Sequence, residues 1–133
     1  MTIDLNFTQL EQLLINLVTN ASQAMGDSSG KIDISVSQQH VSTSRTLSRG
    51  TLEPGDYIEL KVSDSGSGMS PEVQQRIFEP FFTTKAEQNG QGMGMAIVYR
   101  IIKSHDARAD LESVEGQGTS VSIYFPCSEL PET

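Results

Sequence analysis

The chain has 133 residues, a single cysteine, no tryptophan and a formal net charge of −8. That length suits one domain with one core, and Cys127 alone with His40 and His105 excludes an internal disulfide and a zinc cluster. The acidic balance argues against nucleic acid, which calls for a basic stripe, and requires any phosphate ligand to be held by local geometry or a metal.

The N-terminus lacks the basic start and apolar run of a signal peptide, and no apolar stretch approaches the ~20 residues that span a membrane. A soluble, cytoplasmic domain without membrane contact is expected, whether or not a parent protein is anchored. One domain is assigned to residues 1–127, with 128–133 as a frayed tail.

The first element is an amphipathic helix over about residues 8–25. Leu10, Leu13, Leu14, Leu17, Val18, Ala21 and Met25 recur at i, i+3, i+4 spacing. Asn6 or Thr8 can cap it, and the run Gly26-Asp27-Ser28-Ser29-Gly30 ends it. At about 100° per residue Asn16 and Asn20 project together, with Asn20 beside the apolar stripe, where an amide needs a partner. Ile32, Ile34 and Val36 alternate with polar residues and predict a half-buried strand. Ser42 to Leu52 is rich in Ser, Thr and Arg without a period and reads as a loop. Glu53-Pro54-Gly55-Asp56 is a turn, and Tyr57 to Val62 alternates again and runs into Asp64. Ser70-Pro71 is an N-cap followed by a proline at the first helical position, which predicts a short helix to about Ile77. Phe78 to Asn89 has no period. A helix follows from Gly92 or Met93 to Ser104. Residues 109–114 and 120–125 are two strands of a hairpin around Glu115-Gly116-Gln117-Gly118-Thr119, closed by Pro126.

Four stretches carry chemistry. In Asp64-x-Gly66-x-Gly68 a carboxylate at a strand end can accept a hydrogen bond from an exocyclic amine such as that of adenine, and glycines let backbone approach a flat ring. Gly90-x-Gly92-x-Gly94 is neither a dinucleotide fingerprint nor a P-loop, yet glycines ahead of a helix expose free N–H groups and a positive dipole end that suit phosphate. Asn16 and Asn20 can offer carbonyl oxygens to Mg²⁺, a hard ion. Phe78, Phe81 and Phe82 precede Thr83-Thr84-Lys85 and can anchor a mobile cover, with Lys85 near phosphates. Each has a bland alternative when taken alone: an ordinary Asp-Ser-Gly turn, a capped connector, two surface amides, and a core plug under a loop.

Taken in order, these four stretches and the glycine turn Gly116-x-Gly118-Thr119 resemble the ATP-binding catalytic domain of sensor histidine kinases, in the superfamily that also holds DNA gyrase, Hsp90 and MutL. Asn16-Leu17-x-x-Asn20-Ala21 is similar to the N box, and Asp64-x-Gly66-x-Gly68-Met69 to the G1 box. Phe78-x-Pro80-Phe81-Phe82 resembles the F box, Gly92-x-Gly94-Met95 the G2 box, and Gly116-x-Gly118-Thr119 the last glycine box. The Phe-Phe-Thr-Thr-Lys form resembles the nitrogen-regulation-like kinases with a short lid.

The resemblance implies a Bergerat-type α/β fold: a two-layer sandwich in which a mixed sheet of about five strands faces three helices. It implies ATP and Mg²⁺ as cofactors, with Asn20 on the metal, Asn16 nearer the γ-phosphate, Asp64 on the adenine amine and Thr84 to Gly94 as a lid, poorly ordered from Lys85 to Gly90 without ligand. The implied ATP contacts are Asn16, Asn20, Gln23, Asp64, Gly66, Gly68, Met69, Phe81, Thr84, Lys85, Gly92, Met93, Gly94, Met95 and Thr119, with Asn16 and Lys85 in the catalytic role. Where the ATPase branches carry a glutamate base, this chain has Asn16, which implies a site that holds ATP for an outside nucleophile. The implied partner is a histidine-bearing dimerisation domain, and through it a response regulator. Neither His40 nor His105 sits where a phosphoacceptor would. Relatives commonly carry Gly-Gly where this chain has Asp106-Ala107, and a strand ahead of the N box where this sequence has Met1 to Leu5, which leaves open whether the sheet edge is complete. The alternatives are an anti-sigma-factor type serine kinase, a non-catalytic ATP-sensing domain, and a true ATPase.

Overall fold

The protein is described here from a computed structural model, over residues 7–25, 30–48, 50–76 and 94–127. Helix α1 (Phe7–Met25) leads into β1 (Ile32–Val41), a short ribbon of β2 (Arg45–Leu47) and β3 (Gly50–Leu52), and β4 (Gly55–Asp64). A short α2 (Pro71–Arg76) precedes α3 (Gly94–Ser104), and the hairpin β5 (Arg108–Val114) and β6 (Gly118–Pro126) ends the fold. No described helix is long and apolar enough to cross a membrane.

The main sheet has the order β1-β4-β6-β5, and each pairing among the described strands is antiparallel. Cross-strand rows alternate between two faces. Val36, Leu60, Ile123 and Ala109 form one row and Ile34, Val62, Val121 and Leu111 the next row on the same face. These rows face the helices. The buried stripe of α1 (Leu13, Leu17, Ala21) and that of α3 (Val98, Ile101, Ile102) close over them into one core. This is the expected α/β sandwich, and α1 lies over β4 more than over β1. The described α1 confirms the period that predicted it.

Two expectations change. The alternation in β1 predicts half-burial, yet Ile34 and Val36 are 51% and 66% exposed. Alternation states which face a side chain takes. It does not state whether anything covers that face, and β1 is an edge strand among the described strands, with α1 lying mainly over its neighbour β4. The supposed loop over Ser42–Leu52 holds the β2–β3 ribbon instead. Leu47 and Leu52 from this ribbon join Val41, Tyr57 and Tyr124 in a second apolar cluster on the outer face of the sheet. Tyr57 and Tyr124 meet edge to face with centroids 6.3 Å apart, and the Arg45 guanidinium lies 5.5 Å from the Tyr124 ring centroid. At the ribbon turn the Ser48 amide donates to Asp110 Oδ1 while Leu111 N–H donates to Ser48 Oγ, which blunts the free edge of β5.

The Asp106-Ala107 turn keeps the geometry that glycine usually supplies. Asp106 adopts φ 55°. Its N–H donates to the Lys103 carbonyl and that of Ala107 to the Ile102 carbonyl, the bond pattern of a Schellman helix end. Buried Ile102 and Ala107 supply the accompanying apolar contact.

Candidate functional site

The row that follows Ile34-Val62-Val121-Leu111 is Ile32, Asp64, Thr119 and Ser113. Because 60, 62 and 64 alternate onto one face, Asp64 emerges on the helix-bearing side, one step past the core. Asp64 is half-buried, and its Oδ1 accepts the Gly66 N–H at 2.8 Å. That bond fixes the carboxylate and leaves its second oxygen as an acceptor. Thr119, directly across the strand pair, is buried, and its hydroxyl lies 2.8 Å from that of Ser113.

The loop after Asp64 is pressed against the β5–β6 hairpin. A Cβ on Gly68 would stand 2.2 Å from the Val114 carbonyl oxygen, and one on Gly118 2.1 Å from that of Asp64. Both glycines also have positive φ, 71° and 133°. The sequence suggested that the Asp64-loop glycines make room for a flat ring. At Gly68 the room is taken by the chain itself, which draws the loop and the last glycine turn into one unit. The Gly116 N–H donates to the Ser67 carbonyl at 2.7 Å and completes the seam.

Asn16 and Asn20 are half-buried on α1, each one residue before a fully packed position, Leu17 and Ala21. They flank the stripe that touches the sheet, on the same side of the sheet as Asp64. The Asn16 amide nitrogen donates to the Gln12 carbonyl at 2.8 Å. Its amide oxygen is then the end left to face a ligand, which fits a hard cation or a phosphate-bound water. Gln23 lies in the last turns of α1, and Gly94 and Met95 open α3, where free N–H groups collect. Met69 packs on the core, and Gly66 and Gly68 lie in the loop just described. Phe81, Thr84, Lys85, Gly92 and Met93, with the lid from Thr84 onward, lie outside the described residues, as does the tail 128–133.

Reading the sequence missed two polar residues in this unit. Ser113 Oγ accepts the Met69 N–H at 2.7 Å, and Gln74 Nε2 donates to the carbonyls of Met69 at 2.9 Å and Ser113 at 3.2 Å. Neither lies in a glycine motif, and a lone serine in a strand gives no signal of its own. A hollow of about 460 Å³ between α3 and β5, floored by Ile102, Ala107 and Ala109, sits toward the other end of the sheet and shares no residue with this site.

Residues 6–129 match the family described as histidine kinase-, DNA gyrase B-, and HSP90-like ATPase. The chain belongs to that family. It is an ATP-binding family, and this domain is its histidine-kinase catalytic type. The sensor kinase CckA of Brucella abortus (strain 2308) is 36% identical over 118 residues, 89% of this chain and 12% of that relative. The solved catalytic domain of histidine kinase ThkA is 31% identical with a TM-score of 0.65, and the match covers 93% of this chain and 70% of that one. The full-length ShkA structure in complex with AMPPNP is 25% identical with a TM-score of 0.64, covering 93% of this chain and 23% of that one. The chain spans 12% of CckA and 22% of the related sensor kinase ZraS.

Proposed function

We propose that this domain binds ATP with Mg²⁺ and presents the γ-phosphoryl group to a histidine on a separate dimerisation domain, from which a response regulator is charged. The observation that carries the reading is Asp64, held by the Gly66 amide with its other oxygen spare, on the helix-bearing face that also bears Asn16 and Asn20. A carboxylate so fixed selects an amine-bearing base edge over a carbonyl-bearing one. Asn20 would hold Mg²⁺ through its amide oxygen, and Asn16 would orient the terminal phosphate. The metal supplies charge neutralisation across the phosphates when bound. An amide cannot take a proton from water, so Asn16 in the place of a general base favours transfer to an outside nucleophile over hydrolysis. Lys85, by its charge and its place after the aromatic motif, would approach the phosphates. The names of the matched relatives favour this reading over the serine-kinase alternative.

The test is titration with a Mg²⁺-bound non-hydrolysable ATP analogue. Asp64→Asn is expected to weaken binding by about 1.5–3 kcal/mol, the value of a hydrogen bond to a charged group. Affinity unchanged by the substitution would remove Asp64 from the base site. Incubated with ATP and an isolated histidine-bearing hairpin, the domain is expected to form acid-labile phosphohistidine. Alone, it is expected to release phosphate near background.

A further inference from the structure

Beyond Asp64 the chain leaves the sheet; the Gly116 N–H holds the Ser67 carbonyl, but no ladder bond positions Met69 relative to the hairpin. What holds Met69 is a pair of side chains from two other elements. Ser113 Oγ accepts its N–H at 2.7 Å, and Gln74 Nε2 donates to its carbonyl at 2.9 Å. The same Gln74 nitrogen reaches the Ser113 carbonyl at 3.2 Å, so the two clamps are joined. Ser113 keeps a proton to give, and it lies 2.8 Å from Thr119 Oγ1 and 3.2 Å from the Gly118 carbonyl. Thr119 in turn pairs with Asp64 across the strands. A closed circuit therefore runs from Asp64 through Gly66 to Met69, across to Ser113, and back through Thr119 to Asp64.

We propose that Ser113, seconded by Gln74, is the positioning residue that sets where the free oxygen of Asp64 stands, and so determines the base selectivity of the nucleotide site. The inference rests on the ATP reading above and deepens it. Ser113 touches no ligand in this scheme. Removing its hydroxyl strands the Met69 N–H and releases Thr119, so the loop and the carboxylate it tethers lose a common reference. A carboxylate that wanders loses more against the matching base than against a mismatched one, because only the matching base used its direction.

The experiment is calorimetric titration of the chain with ADP and, separately, GDP, at a temperature where thermal melts show each variant folded. The wild-type chain is expected to prefer ADP. Ser113→Ala is expected to weaken ADP binding by about tenfold, the scale of one buried hydrogen bond, while GDP changes little, so the preference narrows. Ser113→Thr keeps the hydroxyl and is expected to restore it. Gln74→Ala is the second arm, expected to narrow the preference to a smaller degree whether or not Ser113→Ala folds. A general loosening of the fold would lower both affinities together, and that outcome, or an unchanged preference in both variants, overturns the inference while leaving the ATP reading standing. A wild-type chain that binds no ADP overturns the reading, and this inference with it.

Discussion

The two ends of the β4–β6 pair are built by opposite means. At the Asp64 end, on the helix-bearing face, the seam between loop and hairpin consists of backbone touching backbone at Gly68 and Gly118 and of hydroxyl and amide bonds centred on Ser113. At the Tyr57 end, seven residues or about 23 Å along β4, the outer face is sealed by Val41, Leu47, Leu52, Tyr57 and Tyr124. Apolar burial is non-directional and tolerates small shifts, so it makes a stable end. Hydrogen bonds and close backbone contact are directional, so they fix a carboxylate in space but add little apolar burial. The site end is organised for aim, and the far end for stability.

The hardest break is at the seam. Gly118→Ala places a Cβ against the Asp64 carbonyl and asks alanine to adopt φ 133°. Strain and overpacking together should cost about 4 kcal/mol. In chemical denaturation the variant is expected to unfold far earlier than wild type, with nucleotide binding lost at any concentration where it remains folded. Normal binding by a stable Gly118→Ala chain would mean that the seam does not aim Asp64.

The far end should separate the two properties. Leu52 is fully buried, and Leu52→Ala is expected to lower stability by about 3 kcal/mol through lost burial and a residual cavity. Below its melting temperature the same variant should bind an ATP analogue like wild type. A change in affinity there would show that the two ends are coupled through the sheet.

This contrast also explains what the sequence disclosed. The α1 stripe, the run of β4 into Asp64 and the glycine turns were legible because each is a local signal: a period, a strand end, a residue type with special dihedrals. Asp64 and Asn20 could be put forward as candidates for the same reason. The ribbon was not legible, since strands of three residues are too short to show a period and Leu47 and Leu52 are lone apolar residues in a polar run. Their burial depends on Tyr57 and Tyr124, and Tyr124 lies over 70 positions away along the chain. Ser113 was hidden similarly, because its partners Met69 and Gln74 come from a loop and helix dozens of residues earlier. The exposure of Ile34 and Val36 failed for a further reason, since a strand's own pattern carries no information about its edge position.

The smallest effect is expected from alkali, and it too should act at the far end alone. Tyr124 is held above its ordinary pKa of 10.0 first by burial and then by the Glu59 carboxylate, while Arg45 pulls the other way. Tyr57 is raised first by burial, against an opposing pull from Arg108, and its hydroxyl donates to the Glu53 carbonyl at 2.7 Å. In the unfolded chain both phenols ionise near pH 10, while in the folded chain they still hold their protons. Above that pH the unfolded state binds fewer protons than the native one, so stability falls with each further increment until the folded groups also titrate. Below pH 10 their contribution is complete and flat. Burial also raises the Cys127 thiol above its ordinary 9.0, so a urea-denaturation series from pH 8 to 11 is expected to show a decline that begins with that group and steepens above pH 10, and Tyr124→Phe should make the steeper part shallower. If the loss above pH 10 instead persisted undiminished in a chain with both tyrosines replaced by phenylalanine, the alkaline weakness would belong to groups other than these two phenols.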